Sequence, residues 1–477
     1  MKTATTLLLI CALGTAAAQE GMTAAQYDAI KAALVPPGAM GHPSPPTLRG
    51  TNRDADSCGC WVAPDTSWTT IDLGTQWNAS GFNNGDDGSH GPIDLPFTFQ
   101  IYGASYTQVY ININGNISFG NQLGTYTSSP FPMEGPTLIA PFWADVDLRA
   151  TGPGINTVQY KLTPTALLVS WKNVGYYNQQ TDKLNSFQLI ISDGGDPVIP
   201  GGNNVAFCYG SMEWTTGSAS GGISGFGGTA ATVGANKGDF MQYLQVGRFD
   251  HAGDDWGGPF ATPGGVGWLT GRHFSFSTAT EAIAPIFVGI NCDTMEVEVG
   301  SSYDYPMMVV AGGSGQVITA GAECPGIAAF QPVVTNVTGG AKINATFTPA
   351  ASELGLHAIV FTAHNDAPVP LNSAYTAYVR VVPASTVGLA GLADATTFSL
   401  QPNPAGDQVQ LTWPAAQRPQ HVQVFATDGT LVMEQAVGAS AAQMQLNLQH
   451  LPAGLYTIRA IGTNNTVAKR LMHIAAQ

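Results

Sequence analysis

Charge is scarce in this chain. Asp, Glu, Lys and Arg together make up 10% of its 477 residues, against about 25% in a typical soluble domain. Only 17 residues are Lys or Arg against 32 Asp or Glu, a formal charge of −15. So few cations cannot neutralise a run of phosphates, which excludes nucleic acid as a partner, and the same shortage argues against a polybasic membrane-surface protein. Past the first residues, no stretch approaches the ~18 uninterrupted apolar residues of a membrane-spanning helix, so no transmembrane segment is expected. Catalytic signatures are missing too: there is no His-Glu-x-x-His, no Gly-x-Ser-x-Gly and no phosphate-cradling Gly-rich loop with Lys. The 9 histidines are scattered, and no two share metal-ligand spacing. Glycosidase carboxylate pairs meet in space and leave no linear trace, so a hydrolase stays open as an alternative.

What the chain has in abundance is turn residues, Gly 57 and Pro 31, with an ordinary 44% of hydrophobics. That composition implies folded domains with many short elements, and the length suggests two to four of them. Residues 1–18 read as a secretory signal peptide: Lys2, the apolar core Leu7–Leu13, then Ala16-Ala17-Ala18. Residues 19–57 are spotted with Pro and Gly and read as an exposed leader, with one short helix between Met22 and Leu34. From Cys58 to about Ala279 no helical period survives. Pro96–Tyr102 alternates, and Val109, Ile111 and Ile113 share one face before Asn114-Gly115, a strong hairpin signal. Residues 58–279 are therefore expected to form an antiparallel all-β domain. Residues 284–384, with clean alternation in Met295–Gly300 and His357–Ala363, fit an immunoglobulin-like sandwich. A linker at 385–396 leads to a last β module, 397–477, with Asp428-Gly429 as a hairpin turn. Charge separates the modules: 58–279 carries 7 basic and 16 acidic residues, 284–384 is acidic as well, and 397–477 carries 4 and 3.

Three passages in the first domain carry a family resemblance. They are Ile139-Ala140-Pro141-Phe142-Trp143-Ala144-Asp145-Val146-Asp147, then Leu168-Val169-Ser170-Trp171-Lys172-Asn173-Val174, then Asn185–Ile191 with Phe207-Cys208-Tyr209 and Met212–Gly217. In order and spacing this resembles the nidogen-like (NIDO) extracellular domain. The resemblance implies a large β-sandwich-like fold and cell–matrix adhesion, and carries no enzymatic activity with it. The last 81 residues resemble the type A C-terminal sorting domain of the type IX secretion system, through Leu400-Gln401-Pro402-Asn403-Pro404-Ala405, Val424–Gly429, Leu451–Tyr456 and Lys469-Arg470-Leu471. That implies a Gram-negative bacterium, a partner in the sorting machinery, and removal of the tail on surface attachment or release.

Candidate chemistry is sparse. Asp145 and Asp147 stand two apart, so on a strand they point to one face. Side by side they call for a cation such as Ca²⁺, or each caps a turn by accepting backbone N–H bonds. Asp250–Trp256 gathers carboxylates and an aromatic in one Gly-rich loop, which makes Asp254, Asp255 and Trp256 ligand-contact candidates, or else a solvated loop. Trp143 and Trp171 lie in strand-like runs and read as core. In an oxidising compartment Cys292 and Cys324, within one domain, are expected to pair. Among Cys58, Cys60 and Cys208 at least one stays unpaired or cross-links elsewhere, and Cys60–Cys208 is a possible disulfide. The expectation is an all-β, exported, surface-displayed, non-catalytic binding protein of adhesin type for a matrix protein or glycan. Ca²⁺ is the optional cofactor. The alternatives are a secreted polysaccharide hydrolase or carbohydrate-binding accessory protein, and a structural matrix or filament subunit.

Overall fold

The computed structural model describes residues 24–33, 60–71, 85–249, 260, 265–290, 294–384, 398–413, 419–426, 430–438, 441–462 and 466–474. The expected signal peptide, the 385–396 linker, Cys58, Cys292 and the loop holding Asp254, Asp255 and Trp256 lie outside these residues. The chain divides into two compact units, Met1–Pro383 and Ala384–Gln477. Among the described residues, the regular elements are strands apart from one α-helix and a few short 3₁₀ turns, as the patterning requires.

The first domain is built from two sheets. One runs in the order Thr69–Thr70, Thr157–Leu162, Ala166–Tyr176, Gln180–Ser192, Val205–Tyr209 and His273–Phe276, with the short strand Val146–Asp147 also paired to Ala166–Tyr176. The other runs Tyr243–Phe249, Ala231–Asn236, Thr137–Trp143, Asn116–Phe119, Ala104–Asn112 and Ser89–Ile101. Every pairing in both sheets is antiparallel. The alternation seen in the sequence is the alternation of burial: Ile93, Leu95, Phe97, Phe99 and Ile101 point inward while their neighbours face out. Val109, Ile111 and Ile113 are fully buried. Residues of both sheets share one continuous apolar core, with Trp171 stacked on Phe187 at 5.1 Å and Trp214 edge-on to Phe142 at 5.7 Å. Trp214 Nε1–H donates to the Val174 carbonyl at 2.9 Å, so this indole is buried without an orphaned donor. Trp143 and Trp171 are core residues, as expected.

Cys60 and Cys208 form a disulfide that ties the chain's entry into the first domain to the strand Val205–Tyr209. The following sandwich packs Ile286–Val288, Tyr303–Val310, Gly340–Phe347 and Gln331–Val337 against Thr294–Glu298, Asn372–Val382, Gly355–Asn365 and Ile318–Glu323. Thr294–Glu298 runs parallel to Asn372–Val382. Ile283, Ile286, Val288 and Val310 join the apolar core of the first domain, so apolar contact continues across the boundary drawn between 279 and 284. Cys324 carries a free thiol buried in the sandwich core, and Cys292, its expected partner, lies outside the described residues. Burial pushes that thiol's pKa up, which keeps it in its apolar, unreactive form.

In the second unit, Ser399–Gln401, Gln408–Thr412 and Gln443–Asn447 form one sheet. Leu431–Ala436, His421–Phe425, Gly454–Ile461 and Thr466–His473 form another. Their inner faces share a core that includes Val409, Leu411, Val424, Leu446, Ile458 and Leu471. Strands His421–Phe425 and Leu431–Ala436 pair antiparallel around the expected Asp428-Gly429 turn, which itself lies outside the described residues.

One helix departs from the all-β pattern. α1, Ala24–Ala33, has the sequence AAQYDAIKAA, rich in the strongest helix former and with Lys31 in the last turn, where a cation favours the helix dipole. A helix was expected here, but within an exposed leader. Instead Lys31 is 1% exposed, because its ammonium is needed elsewhere in the fold.

Candidate functional site

The site begins with a turn. Between the paired strands Ala104–Asn112 and Asn116–Phe119, the Asn114-Gly115 hairpin leans onto the end of Thr137–Trp143, where Phe142 N–H donates to the Gly115 carbonyl and Ala144 N–H to that of Asn114. Only glycine fits at 115: φ is +70°, and a Cβ would stand 1.9 Å from the Phe142 carbonyl oxygen. That close approach points the Asn114 side chain at one earlier and one later residue. Its Nδ2 donates to Asp87 Oδ1 at 2.8 Å, and its Oδ1 accepts the Val146 N–H at 3.0 Å. A second close approach is made by Gly217, where a Cβ would stand 2.5 Å from Asp145 Oδ2.

These turns converge with residues 85–88 on a cluster of carboxylates. Asp86, Asp87 and Asp145 each offer an oxygen within 4.8 Å of the others. Among them sits the ammonium of Lys31, 2.8 Å from Asp145 Oδ1, 3.0 Å from Asp87 Oδ2 and 3.2 Å from both oxygens of Asp86. The rings of Tyr177 and Tyr126 wall it in at 4.1 and 4.2 Å from their centroids. Asp147 faces a different cation. Arg149 donates from Nε and Nη2 to the two oxygens of Asp147, and its Nη1 reaches both oxygens of Asp28 on α1 at 2.9 Å. The Asp147 carboxylate also accepts the backbone N–H of Arg149 and of Gln179. Two further contacts of α1 are polar: Tyr27 O–H donates to Asp87, and Tyr177 O–H donates to the Asp28 carbonyl at 3.2 Å.

Among the described residues, Asp28, Asp86, Asp87, Asp145 and Asp147 make ion pairs with Lys31 and Arg149. Burial, reinforced by the Asp87 charge, pushes Asp86 well above the ordinary carboxylate range. Burial likewise lifts Asp145 to about 7, against the lowering pull of Lys31. Burial works to discharge Lys31, but the charges of Asp145, Asp87 and Asp86 outweigh it and hold the ammonium well above its usual pKa. Lys31 is therefore a cation at neutral pH, and part of the negative charge is met by protons. Asp145 Oδ2 is buried and accepts no hydrogen bond among the described residues.

Chemically, three carboxylate oxygens this close form a site for a compact cation. They suit an ammonium with its three N–H donors, or a hard divalent ion that takes oxygens at about 2.3–2.6 Å. Asp145 and Asp147, expected to act as a pair, each have a cation of their own: Lys31 for the first, Arg149 for the second. Sequence reasoning missed Lys31, Asp86, Asp87, Tyr126, Tyr177 and Arg149. Asp86-Asp87 between Gly85 and Gly88 was a local signal, an acid pair in a turn, whereas Lys31 had none beyond being a cation in a chain poor in them.

Comparison with known proteins follows the same division of the chain. Residues 62–248 match a family model described as NIDO related, and residues 399–474 match that of the secretion system C-terminal sorting domain. Alpha-tectorin of Mus musculus is 31% identical over 186 residues, covering 34% of this chain and 8% of tectorin. Nidogen of Drosophila melanogaster is 27% identical over 155 residues, covering 27% of this chain and 11% of nidogen. The chain thus spans about a tenth of the length of these relatives. Among solved structures, bovine butyrophilin is similar at 11% identity over 38% of this chain and 94% of that one, with a TM-score of 0.17. No helix among the described residues is long and apolar enough to cross a membrane.

Proposed function

We propose that this chain is an exported protein, displayed on the outer surface of a Gram-negative bacterium, that binds a matrix protein or glycan without transforming it. The observation that carries this reading is the convergence of the turns at 85–88, 113–115, 144–149 and 177–179 on one preformed cation site. A rigid strand scaffold holding recognition loops in place is how binding domains are generally made. The buried acids support the same reading. They are gathered around Lys31 and Arg149, not set across a water-facing cleft at the ~5–10 Å that glycoside hydrolysis uses. The match of the tail to a secretion sorting domain supports export, with the sorting machinery as its partner.

The closeness of Asp86, Asp87 and Asp145 favours one further point, that Ca²⁺ takes the ammonium's place when Lys31 is withdrawn. Binding of the mature chain to an array of matrix proteins and glycans, with and without chelator, tests both. Retained binding that weakens in chelator fits a calcium-dependent binder, and indifference to chelator retires the calcium. Turnover of any substrate that stops on Asp145→Asn or Asp86→Asn would overturn the binding reading.

A further inference from the structure

α1 is attached to the first domain as a ligand is attached to a receptor. Its Lys31 lies 55 residues before Asp86 and 114 before Asp145 in the chain, and each of its named contacts is a polar or cation–π one made by Tyr27, Asp28 or Lys31. Gln26, Ala29, Ala32 and Ala33 are exposed. Ten residues are too few for a stable helix alone in water, so the docked face supplies the order. Tyr27 and Lys31 stand at i and i+4, one above the other on that face, with Asp28 beside them.

The pocket in turn is complementary to one chemical group. An ammonium has three N–H donors, and three separate carboxylates receive them. Two tyrosine faces close the sides and attract a desolvated cation. A guanidinium is a planar fork that prefers two-pronged contact with one carboxylate, the contact Arg149 makes with Asp147 outside the pocket. Asp145 Oδ2, buried and without a donor among the described residues, leaves acceptor capacity that one ammonium does not fill.

From these contacts we infer that the Asp86–Asp87–Asp145 pocket is a receptor site for a lysine ammonium presented on a helix, with a tyrosine one turn earlier, and that α1 fills it as a self-ligand. The helix comes from the same molecule or from a second copy, since the chemistry is the same for both. The inference rests on reading this domain as a binding module, and it specifies what the site binds.

The test uses the full mature chain carrying Lys31→Met, which empties the pocket of its own ammonium, and a fluorescent peptide of residues 22–35. Truncating one member of a buried charge pair costs roughly 2–5 kcal/mol, so the Lys31 peptide binds this variant at least ~30-fold tighter than the same peptide with Lys31→Met. An arginine peptide is also weaker. Equal binding of the lysine and methionine peptides, or no binding to a variant with native near-ultraviolet circular dichroism, overturns the inference. So does Ca²⁺ binding that the peptide does not displace. Should the variant not fold, the wild-type chain decides by amine acetylation: Lys31 reacts at least ~30-fold slower than exposed Lys172 if it is seated, and equal rates overturn the inference. Sedimentation of wild-type chain mixed with the variant separates the sources, because a complex growing with concentration means a helix donated by a second copy, and persistent monomers mean the molecule's own. Peptide binding without any hit on the matrix array would defeat the broader binding function alone, and an array ligand without peptide binding would defeat only this inference.

Discussion

Replacing Asp145 by asparagine keeps the shape of the side chain and removes its titration, and the effect on stability should run with pH in the direction opposite to an ordinary salt-bridged aspartate. Burial raises the Asp145 pKa to about 7 from the ordinary 3.8 of a free aspartate. Between those two values the folded chain holds a proton that the unfolded chain has released, so stability falls as pH rises. The contribution is fully present below about pH 4 and is lost as the pH passes through about 7. A difference of about three units at 1.36 kcal/mol each gives a loss on the order of 4 kcal/mol. The variant has no such proton to lose. Its amide leaves one polar atom unpaired beside Gly217, as Oδ2 is now, a cost of ~1–3 kcal/mol that does not depend on pH. Urea denaturation of both proteins from pH 4 to pH 8, followed by tryptophan fluorescence, reads the difference directly, since Trp143, Trp171 and Trp214 are buried in the first domain. The wild-type advantage should shrink steadily across that range. A constant difference, or one that grows with pH, would refute the argument that burial outweighs Lys31 at this carboxylate.

Other outcomes follow from the same geometry. Gly115→Ala places a methyl group against the Phe142 carbonyl at φ +70°, and should cost more than ~1 kcal/mol in denaturation midpoint analysis. Because Asn114 in that turn holds Asp87 and Val146, hydrogen exchange should also quicken around Asp86–Gly88. Opening the Cys60–Cys208 bond, which joins residues 148 apart, should lower stability by about 2–4 kcal/mol; calorimetry with and without reductant checks this, and Cys60→Ser should remove the reductant effect.

Much of the fold could be read from the sequence because a strand's burial has a period of two. Ile93 through Ile101 and Val109 through Ile113 alternate in residue type and in the structure alike, and Asn114-Gly115 marked its own turn. The site was visible only in part. Asp145 and Asp147 were picked by their spacing, yet each belongs to a different cation, since Asp145 precedes the two-residue strand Val146–Asp147 and its neighbours come from other loops. Asp86, Tyr126 and Tyr177 reach the pocket from separate loops, and Lys31 from a helix before the domain begins. No local period encodes contacts that close over such distances along the chain. Cys324 sits as a small apolar residue in the sandwich core, and Cys292, its expected partner, lies outside the described residues. Asp254, Asp255 and Trp256 lie outside the described residues, so the loop reading stands where the sequence left it.

The most direct measurement of the central claim is nitrogen-15 NMR of the lysine side chains of the full mature chain at neutral pH. An ammonium held by three carboxylates and two tyrosine rings should give a slowly exchanging NH₃⁺ signal that vanishes in Lys31→Met and persists in chelator. If no protected ammonium signal is seen, or if one remains in that variant, the pocket does not hold Lys31 and the account of this site is wrong.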